Sequence, residues 1–288
     1  MSSLRFQAPT LLDYFAALVA DDSQFSQLEA AIAIAQDEEP SLDVQSVLSQ
    51  IDTLAARLKQ RIAADTGAMQ KLRYLNRYFF QELGFAGNVN DYYDPHNSYL
   101  HRVLATRRGI PITLALLFIE IAQQIGLDAR PVSFPGHFLV KLKMPQGEVI
   151  IDPFNGQSLS REDLDERLVP YRQRQGLVGE FEAPLGLFLQ AASGRDVLAR
   201  LLRNLKEIHR SAERWQTLLG VQHRLVLLLP EAWEERRDRG LVLAELSEHG
   251  AAADDLQAYL EQRPEADDAH ALRDRLTELR GAGRPSLH

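Results

Sequence analysis

GIPITLALLFIEIAQQIG, residues 109–126, is apolar almost all the way round, and its reading decides the fold. Pro111 suits a first helical turn, where a missing N–H costs nothing. From Ile112 to Ile125 the apolar side chains leave no wide polar face, so the segment predicts a central helix that must be covered on several sides. At about 16 residues it is short for a membrane span, and Glu120, Gln123 and Gln124 argue further against lipid. A core helix of a globular domain follows.

The composition agrees. The chain has 288 residues, 45% hydrophobic and 25% charged, long enough for two domains of ordinary size. Lysine and arginine number 32 against 40 acids, a net charge of -8, and no basic run is dense enough to mark a nucleic-acid patch. Asp21, Asp22, Asp37, Glu38 and Glu39 form short acidic groups that read as a solvated helical face. There is no cysteine, which excludes disulfides, thiolate zinc sites and a cysteine nucleophile. The apolar patch Leu11 to Ala20 is broken by Asp13 and flanked by acids, unlike a signal peptide. The cytoplasm is the expected compartment, with no membrane contact.

Before the central stretch, Pro9 to Ala20, Ser23 to Gln36, Ser41 to Asp65 and Gly67 to Leu83 carry apolar residues at helical spacing, with Ser23 and Ser41 as candidate N-caps. Tyr74, Tyr78, Phe79 and Phe80 read as packing residues rather than a cofactor platform. Gly84 to Asn97 is an irregular loop rich in glycine, asparagine and aspartate. Ser98 is expected to cap a short helix through Thr106, closed by a left-handed Gly109.

After it the pattern turns to strands: Ala129 to Phe134, His137 to Lys143, and Glu148 to Asp152, with Pro145-Gln146-Gly147 as the turn. A helix beside an antiparallel hairpin gives an α+β, mostly helical fold. Between residues 155 and 194, Phe181, Leu185, Leu187, Phe188 and Leu189 mark a segment that docks. Beyond Gly194 everything reads as helix: Asp196 to His209, Ala212 to Leu229, Ala232 to His249, Ala252 to Gln262 and Asp267 to Arg280. Pro230 and Pro264 lie 34 residues apart at equivalent helix ends, the period of tetratricopeptide repeats. Two helix pairs and a capping helix are expected, either as a protein-binding array or simply as a cap on the first domain. The predicted division is 1–180 for the first domain, helical over 1–87 with its core at 88–180, and 190–288 for the repeats.

The order of core helix, strand with histidine and strand ending in Asp-Pro resembles the transglutaminase-like, papain-like core. Gly126-Leu127-Asp128-Ala129-Arg130 is similar to the stretch ending that family's helix, His137 matches its histidine, and Asp152-Pro153 its aspartate and proline. With the repeats included, the chain resembles the bacterial regulators of sirC expression, the SirB-type proteins. Arg107 to Leu114, Phe134 to Val140 and Ile151 to Gly156 carry that likeness. It implies a transglutaminase-like domain joined to C-terminal tetratricopeptide repeats, and a regulatory role.

The nucleophile does not carry over, because the family spacing puts the catalytic cysteine at Pro111. A helix N-terminus stabilises a thiolate through its dipole, and proline offers nothing that attacks. Thr113 is rotated about 200° from that position, and Ser133 and Ser98 lack the arrangement a Ser-His-Asp site requires. If Pro145-Gln146 is a two-residue loop, His137 faces Phe154 and Asp152 lies diagonally on the same face, roughly 7–8 Å away. The expectation is a hydrogen-bonded remnant in which the aspartate fixes the ring. His96, His101, His137, Asp91 and Asp94 are candidate metal ligands by residue type, but no HExxH-type spacing is present. The sequence therefore points to a non-catalytic regulatory or scaffolding protein with a protein partner and no cofactor or metal. The competing expectation is a hydrolase or peptidase-like enzyme in which His137 acts as base on water and Asp152 orients it.

Overall fold

The computed structural model describes residues 9–22, 25–177, 179 and 183–282. In chain order these form α1 (Leu11–Val19), α2 (Gln27–Ala33), α3 (Val44–Lys59), α4 (Ala68–Asn76), β1 (Ala86–Gly87), α5 (Leu100–Thr106), β2 (Arg108–Gly109) and α6 (Pro111–Gln124). Next come β3 (Asp128–Val132), β4 (Leu139–Met144), β5 (Gly147–Asp152), β6 (Gln157–Leu159), α7 (Arg161–Arg174) and α8 (Leu185–Phe188). The last helices are α9 (Gly194–Ser211), α10 (Trp215–Leu228), α11 (Trp233–Glu245), α12 (His249–Gln262) and α13 (Ala269–Ala282). The chain divides into two compact units: a core unit of residues 26–35 and 41–201, and a repeat unit of residues 1–25, 36–40 and 202–288.

In the core unit α6 is buried along its length, from Pro111 to Ala122 with only Glu120 partly open. It packs against α3, α4 and α5 and, on another side, against β3 and β4. The sheet is antiparallel in the order β3-β4-β5-β6, and Met144 pairs with Gly147, so Pro145-Gln146 is a two-residue loop. Because strand side chains alternate, one face carries Val132, Leu139 and Ile150, which pack on Leu164 and Leu168 of α7 and Leu185 of α8. Ala129, Val140, Leu142 and Ile151, all fully buried, take the opposite face, toward α6.

Several boundaries differ from the sequence reading for local reasons. The strand expected from His137 begins at Leu139, because Phe134-Pro135-Gly136-His137 is a turn with Gly136 at φ +71 and His137 N bonded to Phe134 O at 3.0 Å. Asp43, not Ser41, caps α3, accepting from the N–H groups of Gln45 and Ser46. Ser23 and Phe181 lie outside the described residues. Ser98 ends a short 3-10 turn, and Tyr99 is the residue before α5. Arg107, at φ 60, takes the left-handed position expected of Gly109. Gly109 serves close approach instead, since a Cβ there would sit 2.8 Å from Thr113 Oγ1. The helix from Gly67 widens into a π turn over Arg77–Glu82, closed by Leu83 N on Tyr78 O at 2.8 Å. Leu187, expected to dock, is 56% exposed, while its neighbours Leu185, Phe188 and Leu189 pack.

In the repeat unit α10, α11, α12 and α13 pack in succession, and α1 packs on α10. The 34-residue period is written in the backbone. Glu213 (φ 52) and Ser247 (φ 63) both adopt left-handed conformations. They are flanked by equivalent bonds, Arg214 N to His209 O and Glu248 N to Leu243 O, each 2.9 Å. Asp37 makes an ion pair with Arg224, whose side chain is 1% exposed, and Gly220 leaves room for that carboxylate.

Candidate functional site

His137 and Asp152 are each placed by a tight turn. Pro135 fixes the second position of its turn and Gly136 supplies the positive φ at the third, as in a type II turn. That swings His137 clear of the sheet at the head of β4. Arg200 holds the same turn from below, donating from Nη1 to Ser133 Oγ at 2.8 Å and to Phe134 O at 2.9 Å. Burial pushes the Arg200 guanidinium below its ordinary pKa. Asp152 ends β5, and the chain reverses through Pro153 to Gly156 before pairing again as β6. Its carbonyl accepts from Gly156 N at 2.8 Å, with Gly156 at φ +78.

The two side chains meet. His137 Nε2 lies 2.8 Å from Asp152 Oδ1, with the histidine side chain 23% exposed and the carboxylate 4% exposed. Asp152 Oδ1 also accepts from Phe154 N at 3.0 Å, and Oδ2 from Arg167 Nη1 at 2.9 Å. Burial is the largest single influence on this carboxyl and opposes ionisation. The bond and charge of His137, the Arg167 guanidinium and the Phe154 N–H together outweigh it and hold the pKa below the usual 3.8. Asp152 is thus a buried anion with every oxygen engaged.

Arg167 is the member that sequence reasoning missed, and a signal for it was present. Ser160 and Asp163 form a reciprocal capping box, Asp163 N on Ser160 Oγ at 3.1 Å and Ser160 N on Asp163 Oδ2 at 2.8 Å. With Leu164 and Leu168 as the buried stripe, that box announces α7 and sets Arg167 beside it. His137 and Arg167 open onto a pocket of about 280 Å³ shared with Phe134, Pro170, Tyr171 and Arg174. On the other side of the imidazole, Phe154 stands 6.5 Å away between ring centroids, and Tyr92 is 6.2 Å beyond it.

The alternative nucleophiles are engaged or enclosed. Thr113 Oγ1 donates to the backbone at Asn97 O (2.8 Å) and Ile110 O (3.0 Å) and is fully buried. Ser133 Oγ accepts from Arg200, and Ser98 is fully buried. Pro111 opens α6, and α6 contributes no residue to the lining of the His137 pocket. Of the metal candidates, His96 Nδ1 lies 2.8 Å from Asp94 Oδ1, and the His101 ring sits 6.2 Å from that of Tyr99, tilted by 31°. Among the described residues no group of three or more histidines and carboxylates is arranged to hold a metal ion, and no helix is long and apolar enough to cross a membrane.

Comparison with known proteins agrees with this anatomy. Residues 45–203 match the transglutaminase-like superfamily and residues 205–277 the tetratricopeptide repeat. A UPF0162 protein of Xylella fastidiosa is 37% identical over 262 residues, covering 90% of this chain and 92% of that protein. UPF0162 protein YchA of Escherichia coli K12 is 29% identical, covering 83% and 86%. Protein SirB1 of Salmonella typhimurium is 28% identical, covering 77% and 80%. No solved structure matches the chain. A core matched over residues 45–203 and relatives aligned along most of their length lead to one assignment: the chain belongs to the UPF0162 family, within the transglutaminase-like superfamily.

Proposed function

We propose that the chain is a non-catalytic regulatory or scaffolding protein of the sirC-regulator type. In this reading it acts in the cytoplasm and recruits a protein partner through the repeats and through the cleft that a catalytic relative would use. The observation that carries the reading is the commitment of the His137–Asp152 pair. Asp152 is saturated by His137, Arg167 and Phe154 N, and the cysteine that such a pair would activate is missing from the entire chain. The pair then acts as a clasp between β4, β5 and α7.

The test is an activity screen of the full chain with glutamine peptides plus an amine donor, and with chromogenic amides and esters, beside His137→Ala. No turnover above buffer is expected from either protein. Turnover that disappears in His137→Ala, with hydrogen-exchange protection of α6 unchanged, would refute the reading. One observation favours the competing hydrolase: His137 opens onto a pocket where a water has access to the ring. The same screen decides between them.

A further inference from the structure

We propose that the pocket beside His137 binds the terminal carboxylate of a partner protein's chain, with that chain's last apolar side chain against Pro170 and Tyr171. The proposal rests on the scaffold reading above and names the chemistry its core cleft would recognise.

Two guanidinium groups line the pocket and are only partly used. Arg167 gives Nη1 to Asp152, leaving Nε and Nη2 without an acceptor among the described residues. Arg174 gives only Nε, to Pro170 O at 3.2 Å, leaving both Nη groups. Guanidinium groups with a free fork suit a planar carboxylate, which accepts two parallel bonds.

The charge count calls for an anion. Arg167 and Arg174 contribute two positive charges against the one negative charge of the buried Asp152, so the pocket is net positive. Size and lining select further. A volume of 280 Å³ is below the range of about 300–1,000 Å³ typical of small-molecule sites, so it takes a chain end rather than a large cofactor. The pyrrolidine of Pro170 and the ring of Tyr171 provide an apolar wall that a bare inorganic anion would not use.

Acetyl-Ala-Leu-Phe with a free carboxylate, the same tripeptide as its carboxamide, and inorganic phosphate are each titrated into the full chain, followed by the amide resonances of Gly136 and His137. The free acid is expected to bind at least about tenfold tighter than the carboxamide. Arg174→Gln, a change at an exposed helix position, should erase that preference, and Arg174→Lys should keep part of it. Equal binding of acid and carboxamide, a preference that survives Arg174→Gln, or phosphate displacing the peptide would each overturn the assignment. Those failures leave the scaffold reading standing. Turnover in the activity screen would remove the scaffold reading and turn a carboxylate preference into a substrate contact.

Discussion

Replacing Asp152 by Asn measures how much of the core's stability the clasp holds. The amide keeps the size of the carboxylate and loses its charge. Two charge-assisted bonds, from His137 at 2.8 Å and Arg167 at 2.9 Å, become neutral or are replaced by opposed N–H groups. Each such change costs about 1 kcal/mol, the difference between a charged and a neutral hydrogen bond. The amide oxygen can satisfy only one side of the site, so an unmatched donor adds to the loss. Arg167, with its side chain 35% exposed, regains water, which keeps the total below the 3–5 kcal/mol typical of a stranded buried charge. The expected loss is about 2 kcal/mol, or about thirtyfold in the opening equilibrium.

The assay has to see the core unit. Trp215 and Trp233, the two tryptophans, both belong to the repeat unit, so fluorescence reports the wrong part of the molecule. Amide hydrogen exchange at Val140 and Ile151, paired across β4 and β5, reports the right one. Protection that stays within about threefold of the parent, or rises, would refute the reasoning. It would mean that desolvation of the ion cluster cancels its bonds, as happens in some buried ion pairs.

Acid should expose the same group. A carboxyl whose folded pKa is depressed contributes stability that is present above its unfolded value and is lost as pH falls through the folded one. The gap between parent and Asp152→Asn is therefore expected to close below pH 3.8, and hydrogen exchange across an acid series checks it. Gly87→Ala should disturb the site from the opposite side, because its Cβ would lie 2.1 Å from the Phe154 ring and would drive that ring off His137. Overpacking of this kind costs about 1–3 kcal/mol, read as lost protection at the Asn88 amide, which bonds Gly109 O; parent-like protection would contradict it.

Much of this fold was legible in the sequence, where period and punctuation act locally. The apolar run at 109–126 named α6, the alternation after Gly126 named the sheet, and the 34-residue spacing of Pro230 and Pro264 named the repeats. The His137 pair was only partly legible, because loop length sets the register of β4 and β5 while the Pro135-Gly136 turn, outside the strand, places His137. The misses share a cause. Arg107 and Tyr99 took positions expected of Gly109 and Ser98, because tertiary packing there outweighed local preference. Arg167 was overlooked because α7 is announced by its Ser160–Asp163 capping box and the short Leu164–Leu168 stripe alone, with Pro170 inside the helix beyond them. The tie between Asp37 and Arg224, 187 residues apart, leaves no local trace at all.

That tie has a consequence for how the molecule comes into being. The chain passes from repeat unit to core unit and back once within its first forty residues, then re-enters the core at residue 41 and finishes it. Phe15, Val19 and Asp37 are synthesised long before the residues of α10 that they meet. Until α10 is made, α1 has no surface to cover, and the loop closed by Asp37 and Arg224 spans 187 residues, which is slow to form. The core can mature while translation continues, but the repeat unit cannot take up its α1 strap until α10 has been made. A cut that separates the two matched regions would orphan that strap, so the boundary between them is a poor place to divide the protein.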